Sequence, residues 1–370
     1  MNRGTLRIAT RGSDLALRQA ASVQEALESY RYEVEIQEVE TRGDQLQDEL
    51  IHQLGKTGAF VRDVDGRVLD GDADLAVHSM KDMPTDQPPE LTVAGIPERE
   101  SAFDVLVSPD GYAFEDLPVG STVGTSSLRR KAQILNARPD LDVEPLRGNV
   151  DTRVEKLLAA GMQEEHEKRL EASKDEKGHA GDDDYEAEYD QSVEEWFDSL
   201  SELQRGALEH DLDVEYDAIV LAEAGLKRSG LHHHVEYERL PRADFVPAPG
   251  QGALAVTAAD GDVVEVLQKA LDHPRSRVET TAERTVLAEL GGGCVAPIGV
   301  HAILQGSYVH TEVQVMSQDG EELIEAKRDL PVDNHAHAAA ELAADLRDRG
   351  AAELIEAAKR DTPSEGTRDE

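Results

Sequence analysis

Two stretches of this chain end an apolar run on hydroxyl and arginine side chains: Ile8-Ala9-Thr10-Arg11-Gly12-Ser13 and Val123-Gly124-Thr125-Ser126-Ser127-Leu128-Arg129. Each has the pattern of a strand running into the first turn of a helix. A helix N-terminus presents unpaired N–H groups and the positive end of the helix dipole, so each turn is a candidate anion site. Ordinary capping, by Ser13 in the first and by one of Thr125-Ser126-Ser127 in the second, explains either turn taken alone. A third turn, Arg147-Gly148-Asn149-Val150-Asp151-Thr152-Arg153, joins them. Arg11, Arg129, Arg130, Arg147 and Arg153 then cluster at strand ends, as suits a pocket for carboxylates, which planar guanidinium forks grip in pairs. The competing reading pairs these arginines with the chain's own acids. The single cysteine, Cys294, follows Gly291-Gly292-Gly293. The glycines favour an exposed, reactive thiol on a mobile, sterically open loop; a small buried hydrophobe is the alternative.

The elements that must position these groups alternate in type. Leu6-Arg7-Ile8-Ala9 reads as a strand, followed by a helix with Ser13 as N-cap and apolar positions from Leu15 to Leu27. Val34, Ile36 and Leu46 frame the next elements. Asp74 to Val77 is a buried-type strand running into His78-Ser79-Met80-Lys81-Asp82, and Ser121 to Gly124 is a strand before the helix through Ile134 and Leu135. A helix over Thr152 to Ala160, a strand over Asp217 to Ala222 and a helix from Pro274 through Leu287 continue the series. Such alternation predicts an α/β fold with mostly parallel sheets.

The chain has 370 residues, with 38 Lys+Arg against 77 Asp+Glu and a formal charge of −39. That length suggests two or three domains. One cysteine excludes a disulfide scaffold and any multi-cysteine metal site. No metal is expected; His232-His233-His234 reads as a solvated loop, because three adjacent histidines cannot all face one ion. The acidity repels nucleic acid and anionic membranes, so neither is an expected partner. With no apolar run of spanning length and no signal-like start, a cytoplasmic protein is expected, and a monomer. The basic residues are 27 Arg and 11 Lys. So acidic a chain with so little lysine and intact apolar periodicity reads as adapted to a very salty, halophilic-type cytoplasm. Residues 161–215 hold 20 acids and five bases and read as an insertion. Its first half is expected to be a solvated loop, and Ser192 to about Leu208 one amphipathic helix carrying the only tryptophan, Trp196.

Seven blocks in order resemble the porphobilinogen deaminase (hydroxymethylbilane synthase) family. They are Leu6 to Arg11, Val77-His78-Ser79-Met80-Lys81-Asp82-Met83-Pro84, Gly124-Thr125-Ser126-Ser127-Leu128-Arg129-Arg130, Arg147-Gly148-Asn149-Val150, Leu221 to Arg228, Pro249-Gly250-Gln251-Gly252-Ala253 and Gly291 to Gly299. The match spans nearly the whole chain apart from the insertion.

The resemblance implies a transferase of tetrapyrrole (porphyrin) biosynthesis. It would join four porphobilinogen molecules head to tail into linear hydroxymethylbilane, releasing ammonia each time. The reaction would be primed by a dipyrromethane cofactor held through a thioether to Cys294. On the matching positions, Asp82 is the catalytic acid. Lys81, Ser79, Asp44, Thr125, Ser127, Arg129, Arg130, Arg147 and Gln251 fall at the cofactor, and Arg11, Ser13, Arg153 and Arg228 at the substrate carboxylates. Read without the family, Asp82 is equally a turn aspartate before Pro84. Lys56 is also assigned to substrate, although in Leu54-Gly55-Lys56-Thr57-Gly58-Ala59-Phe60 the lysine is displaced by one position from the family pattern.

The implied fold has two periplasmic-binding-protein-like, doubly wound lobes and a smaller α+β C-terminal domain. Residues 1–98 and 252–270 would form the first lobe, 103–246 the second with its insertion, and 273–360 the third domain with the cofactor cysteine. Residues 361–370 would be a frayed tail. The same two-lobe architecture also serves proteins that bind anions or sense ligands without reacting. Such a protein would need the arginines but neither Asp82 beside Lys81 nor a cysteine in a glycine loop.

Overall fold

In the computed structural model, residues 3–40, 59–179, 188–211, 213–259, 261–293 and 296–361 are described. The first sheet contains β1 (Thr5–Arg11), β2 (Glu33–Val39), β3 (Leu75–Ser79) and β4 (Leu91–Gly95), with β10 (Leu254–Ala259) inserted between β3 and β4. β1 runs parallel to β2 and β3, and β10 is antiparallel to both its neighbours. Both faces are covered, which explains the unbroken apolar runs. Ile8, Leu75 and Val256 pack on α1 (Asp14–Ser29) and α8 (Asp262–Leu271), while Ala9 and Ala76 face Val64 and Val68 of α2 (Ala59–Leu69).

The second sheet repeats this plan. β5 (Asp104–Val107), β6 (Thr122–Gly124), β7 (Asp142–Glu144), β8 (Ala218–Ala222) and β9 (Tyr237–Arg239) lie in the order β7-β6-β8-β5-β9, with β5 antiparallel between β8 and β9. Leu106, Val123 and Phe245 pack on Ile134 of α3 (Leu128–Ala137), and Val105 and Ile219 on Val154 and Leu157 of α4 (Val150–Gly178). In each sheet the antiparallel strand belongs to a segment that has just crossed from the other lobe. The two crossings run side by side: Gly252 O accepts from Glu100 N at 3.2 Å, and a Cβ on Gly252 would fall 2.4 Å from Glu100 O. With φ at +86°, that position accepts only glycine without strain.

β11 (Ile298–Gln305), β12 (Tyr308–Met316) and β13 (Leu323–Pro331) form an antiparallel meander covered by α9 (Pro274–Glu289), α10 (His335–Leu346) and α11 (Ala352–Asp361). The fold is α/β with three domains: two doubly wound lobes and a smaller α+β unit. The third domain touches both lobes. Glu283 of α9 is fully buried and accepts from Arg99 of the first crossing, Gly250 N of the second and Ala302 N of β11. Gln314 of β12 meets Gln133 of α3 at 3.0 Å.

The acidic segment departs from expectation. Residues through Gly178 are helix, continuing α4 to 29 residues, where a solvated loop was expected. The stretch lacks an apolar face but is rich in strong helix formers and carries Glu164–Lys168 and Glu165–Arg169 ion pairs at i,i+4. The single expected helix over Ser192 to Leu208 is two, α5 (Val193–Ser199) and α6 (Glu202–Glu209), because Ser192 and Ser201 each start a helix with a reciprocal capping box. Trp196 is buried, its ring 5.8 Å from His166 and 5.0 Å beneath the Arg169 guanidinium. Leu203 and buried Ala207 of α6 lie against the second lobe.

Candidate active site

Four chain turns gather at the C-terminal ends of the parallel strands. β1 runs into α1, where Ser13 Oγ accepts from Ala16 N, and β6 runs into α3, where Ser127 Oγ accepts from Arg130 N. Asn149 caps α4 through Thr152 N. After β3, Met80–Asp82 makes a single 3₁₀ turn, anchored by Met80 N donating to Ala253 O at 3.0 Å. These are the positions at which ligands enter open α/β sheets.

Arg129 and Arg130 leave the first turn of α3 and run inward to Asp104, the opening residue of β5. Arg129 Nη1 lies 2.7 Å from Asp104 Oδ2, and Arg130 reaches Oδ1 through Nε at 2.9 Å and Nη2 at 2.7 Å. Gln251 Nε2 donates to the same Oδ1 and to Ala102 O. Burial pushes the Asp104 carboxyl up, but the two guanidinium groups overcome this and hold it well below the usual carboxylate range. Both readings of the arginine cluster therefore have substance: two of its members pair with an acid of the chain, and the pair carries net positive charge.

The second group is Lys81, Asp82 and Arg153. Desolvation lowers the Lys81 ammonium to about 8, with Asp82 opposing and Arg130 assisting the shift. Desolvation likewise lowers Arg153 to about 10, with Arg130 adding to it and Asp82 opposing. Lys81 and Asp82 of the first lobe thus share one field with Arg130, Asp104 and Arg153 of the second. Among the described residues Lys81, Arg129, Arg130 and Arg153 oppose Asp82 and Asp104, a net positive centre in a chain of −39. Asp82 itself is exposed. A carboxylate open to an incoming molecule and backed by desolvated cations can hold an anionic substrate and exchange a proton with it.

The other expected site residues take separate positions. Thr125 is buried and its Oγ1 accepts from Ser127 N, Arg228 Nη2 donates to Gly252 O on the returning crossing, and Ser79 ends β3. Arg11 ends β1, and Arg147 lies just before the positive-φ Gly148. Asp44, Lys56 and Cys294 lie outside the described residues. The glycines before Cys294 are not all open, as expected of them: Gly292 is buried, and a Cβ there would fall 2.3 Å from Ile298 Cδ1. Gly291, at φ +66°, ends α9 as its amide returns to Ala288 O. Asp104 and Glu283 escaped the sequence reading; the only local signal for Asp104 was an acid opening the apolar run Val105-Leu106-Val107. Among the described residues no group of three or more His, Cys, Asp or Glu is placed to hold a metal, and no helix is long and apolar enough to cross a membrane.

Fold and site together define an α/β protein whose two lobes meet over a centre of net positive charge. The family model for the porphobilinogen deaminase dipyromethane cofactor binding domain matches residues 6–166 and 200–265, and the model for the porphobilinogen deaminase C-terminal domain matches 278–348. A probable porphobilinogen deaminase of Halobacterium salinarum is 55% identical, covering 97% of this chain and 99% of its own length. The porphobilinogen deaminase of Campylobacter hominis is 36% identical over 96% of this chain and 98% of its own. Among solved structures, the methionine binding protein MetQ superposes with a TM-score of 0.34 at 11% identity over 72% of this chain and 89% of its own, too loose a likeness to bear on function. The chain belongs to the porphobilinogen deaminase family. Residues 167–199, within the acidic segment, fall outside the family model.

Proposed function

We propose that this chain is the transferase that joins four porphobilinogen molecules into linear hydroxymethylbilane, working on a dipyrromethane primer held by Cys294 through a thioether, in a salt-rich cytoplasm. The observation that carries the reading is the exposed Asp82 carboxylate flanked by desolvated Lys81 and Arg153. The cationic centre fits a carboxylate-bearing primer, because Lys81 and Arg153 lie in a low-dielectric setting where each contact with a carboxylate is strengthened. Once bound, the primer supplies a terminal pyrrole carbon as nucleophile.

The chain's residues do the rest. Asp82 faces the aminomethyl end of an incoming porphobilinogen. Loss of ammonia leaves positive charge on the pyrrole, which the Asp82 carboxylate stabilises, and Asp82 can then take up the proton released when the new carbon–carbon bond has formed. Lys81 and Arg153 hold acetate and propionate groups, so the ring is oriented before bonds change. Arg130 is itself fixed by Asp104 and Gln251, which adds a positive field without a mobile side chain.

Intact mass of the purified chain tests this. The expected result is an excess over the polypeptide equal to one dipyrromethane, absent from Cys294→Ser, together with loss of turnover in that variant. A bare polypeptide mass in an actively turning-over protein would overturn the covalent anchoring.

A further inference from the structure

Beside the Lys81–Asp82 turn, a cleft of about 330 Å³ lies between α9 and the first lobe, and none of Arg129, Arg130 and Arg153 lines it. One face of α9 lines it with Arg277, Thr281, Arg284 and Thr285, residues spaced by threes and fours. Met80, Pro84 and Ile96 form an apolar wall opposite, with Gln87 at its edge. Acids make up 77 of the 370 residues, yet none lines this cleft.

Its polar groups are underused. Arg277 pairs with Asp272 through Nε and Nη2 and also gives Nη2 to the carbonyls of Val93 and Ala94, which leaves Nη1 without a partner among the described residues. The Thr281 and Thr285 hydroxyls and the Gln87 amide likewise make no hydrogen bond among the described residues. A free guanidinium N–H, two free hydroxyls and an amide beside an apolar wall are the complement of a small molecule with a carboxylate and a flat body. A cleft of this volume has room for one substituted ring.

Position gives such a ligand leverage. Arg284 donates from Nη1 to Met83 O at 2.8 Å and from Nη2 to Pro84 O at 2.6 Å, bolting α9 to the two residues after Asp82. Met80, one residue before Lys81, is part of the cleft wall. The same helix runs on to Gly291 and the cysteine segment. We infer that this cleft is a second, regulatory site for a single-ring carboxylate, whose occupancy fixes α9 against the Lys81–Asp82 turn and slows turnover. Porphobilinogen in excess and other one-ring carboxylates share this chemistry. The inhibitory consequence rests on the proposed reaction; binding does not.

Calorimetric titration of the full chain with sodium phthalate at constant potassium chloride reads binding without turnover. One saturable site is expected, weakened by at least about tenfold in both Thr281→Trp, which fills the cleft, and Arg277→Gln, which removes the free N–H along with the bonds to Asp272, Val93 and Ala94. Turnover of both variants without phthalate should stay within about twofold of the parent, since neither residue belongs to the reacting centre. With the parent chain, phthalate should lower kcat and leave KM unchanged. Substrate inhibition at high porphobilinogen that disappears in Thr281→Trp identifies the substrate as an occupant; phthalate inhibition without substrate inhibition assigns the site to another one-ring carboxylate. No saturable binding, equal binding by parent and both variants, or purely competitive inhibition overturns the inference.

Discussion

Gln251 Nε2 donates to Asp104 Oδ1 at 2.9 Å across 147 positions of sequence, so the turn leading back from the second lobe touches the carboxylate that anchors Arg129 and Arg130. Asp104 is fully enclosed in this contact, and both guanidinium groups are buried with it.

Asp104→Asn keeps the shape of that side chain and removes its charge. Two buried guanidinium groups then lose their counter-ion, a change that costs about 3–5 kcal/mol when one partner of a buried pair is removed. A urea titration at fixed molar potassium chloride should show a clearly lower midpoint. A midpoint equal to that of the parent would mean that Gln251 and the backbone carbonyls alone satisfy the arginines.

The pH dependence of substrate binding follows from Lys81. Desolvation lowers its ammonium to about 8, so the cation is present at pH 7 and is lost as pH rises through that value. A charge-assisted hydrogen bond is worth roughly 1.5–3 kcal/mol, so porphobilinogen affinity should fall by about tenfold or more between pH 7 and pH 9.5. The measurement belongs on Cys294→Ser, where no primer carboxylate holds the proton on Lys81. In the same background Lys81→Arg should flatten the profile, since guanidinium stays charged throughout. A fall of equal size in both would assign the titration elsewhere.

Asp82→Asn leaves the turn and its backbone anchor to Ala253 intact while removing charge and basicity. The expected outcome is kcat reduced by about 10²-fold or more with KM within a few-fold, because the interaction removed is strongest as charge develops. Steady-state rates with porphobilinogen check it, and a kcat near the parent value would place the proton acceptor on another residue.

Salt should act on the acidic segment. At −39 the folded chain is opposed by self-repulsion that molar salt, with a screening length of about 3 Å, largely removes. Thermal melting should therefore rise steeply from low to molar potassium chloride. Residues 167–199 carry 13 acids and four bases, and their removal leaves α6 with its Leu203 and Ala207 contacts in place. Joining residues 166 and 200 should lower the salt needed for folding. Removal of the whole of 161–215 should instead unfold the second lobe at every salt concentration. Equal melting of the parent at low and molar salt would contradict the halophilic reading.

What could be read from the sequence was what depends on neighbours a few residues away. Ser13 caps its helix as expected, the cap of α3 falls to Ser127 among the three hydroxyls that open it, and the two strand-to-helix turns stand where the apolar runs end. Asp104 could not be read this way, because its meaning lies in Arg129, Arg130 and Gln251, which only the sheet order brings to it. The helix from 161 to 178 was missed for a different reason. Apolar periodicity reports packing, and this stretch is held by intrinsic propensity and surface ion pairs. Gly292 was misread as freedom: the absent side chain makes room for Ile298 and Leu287. The low pKa of Lys81 needs both lobes in place, since Arg130 and Arg153 contribute to it from the far side of the site.

The double crossing between lobes has a consequence for how the molecule is made. β5 to β9 are consecutive, so the second sheet holds all its strands once Arg239 has left the ribosome. The first sheet does not: β10, which separates β3 from β4, begins at Leu254, long after Gly95 has emerged. During that interval β3 presents an unpaired apolar edge and β4 has no strand partner, the condition in which nascent strands aggregate or pair wrongly. The amino-terminal lobe is therefore the last of the two to close, and its closure sets Met80 N on Ala253 O, so the turn bearing Lys81 and Asp82 is assembled only when the cleft it serves already has its opposite wall.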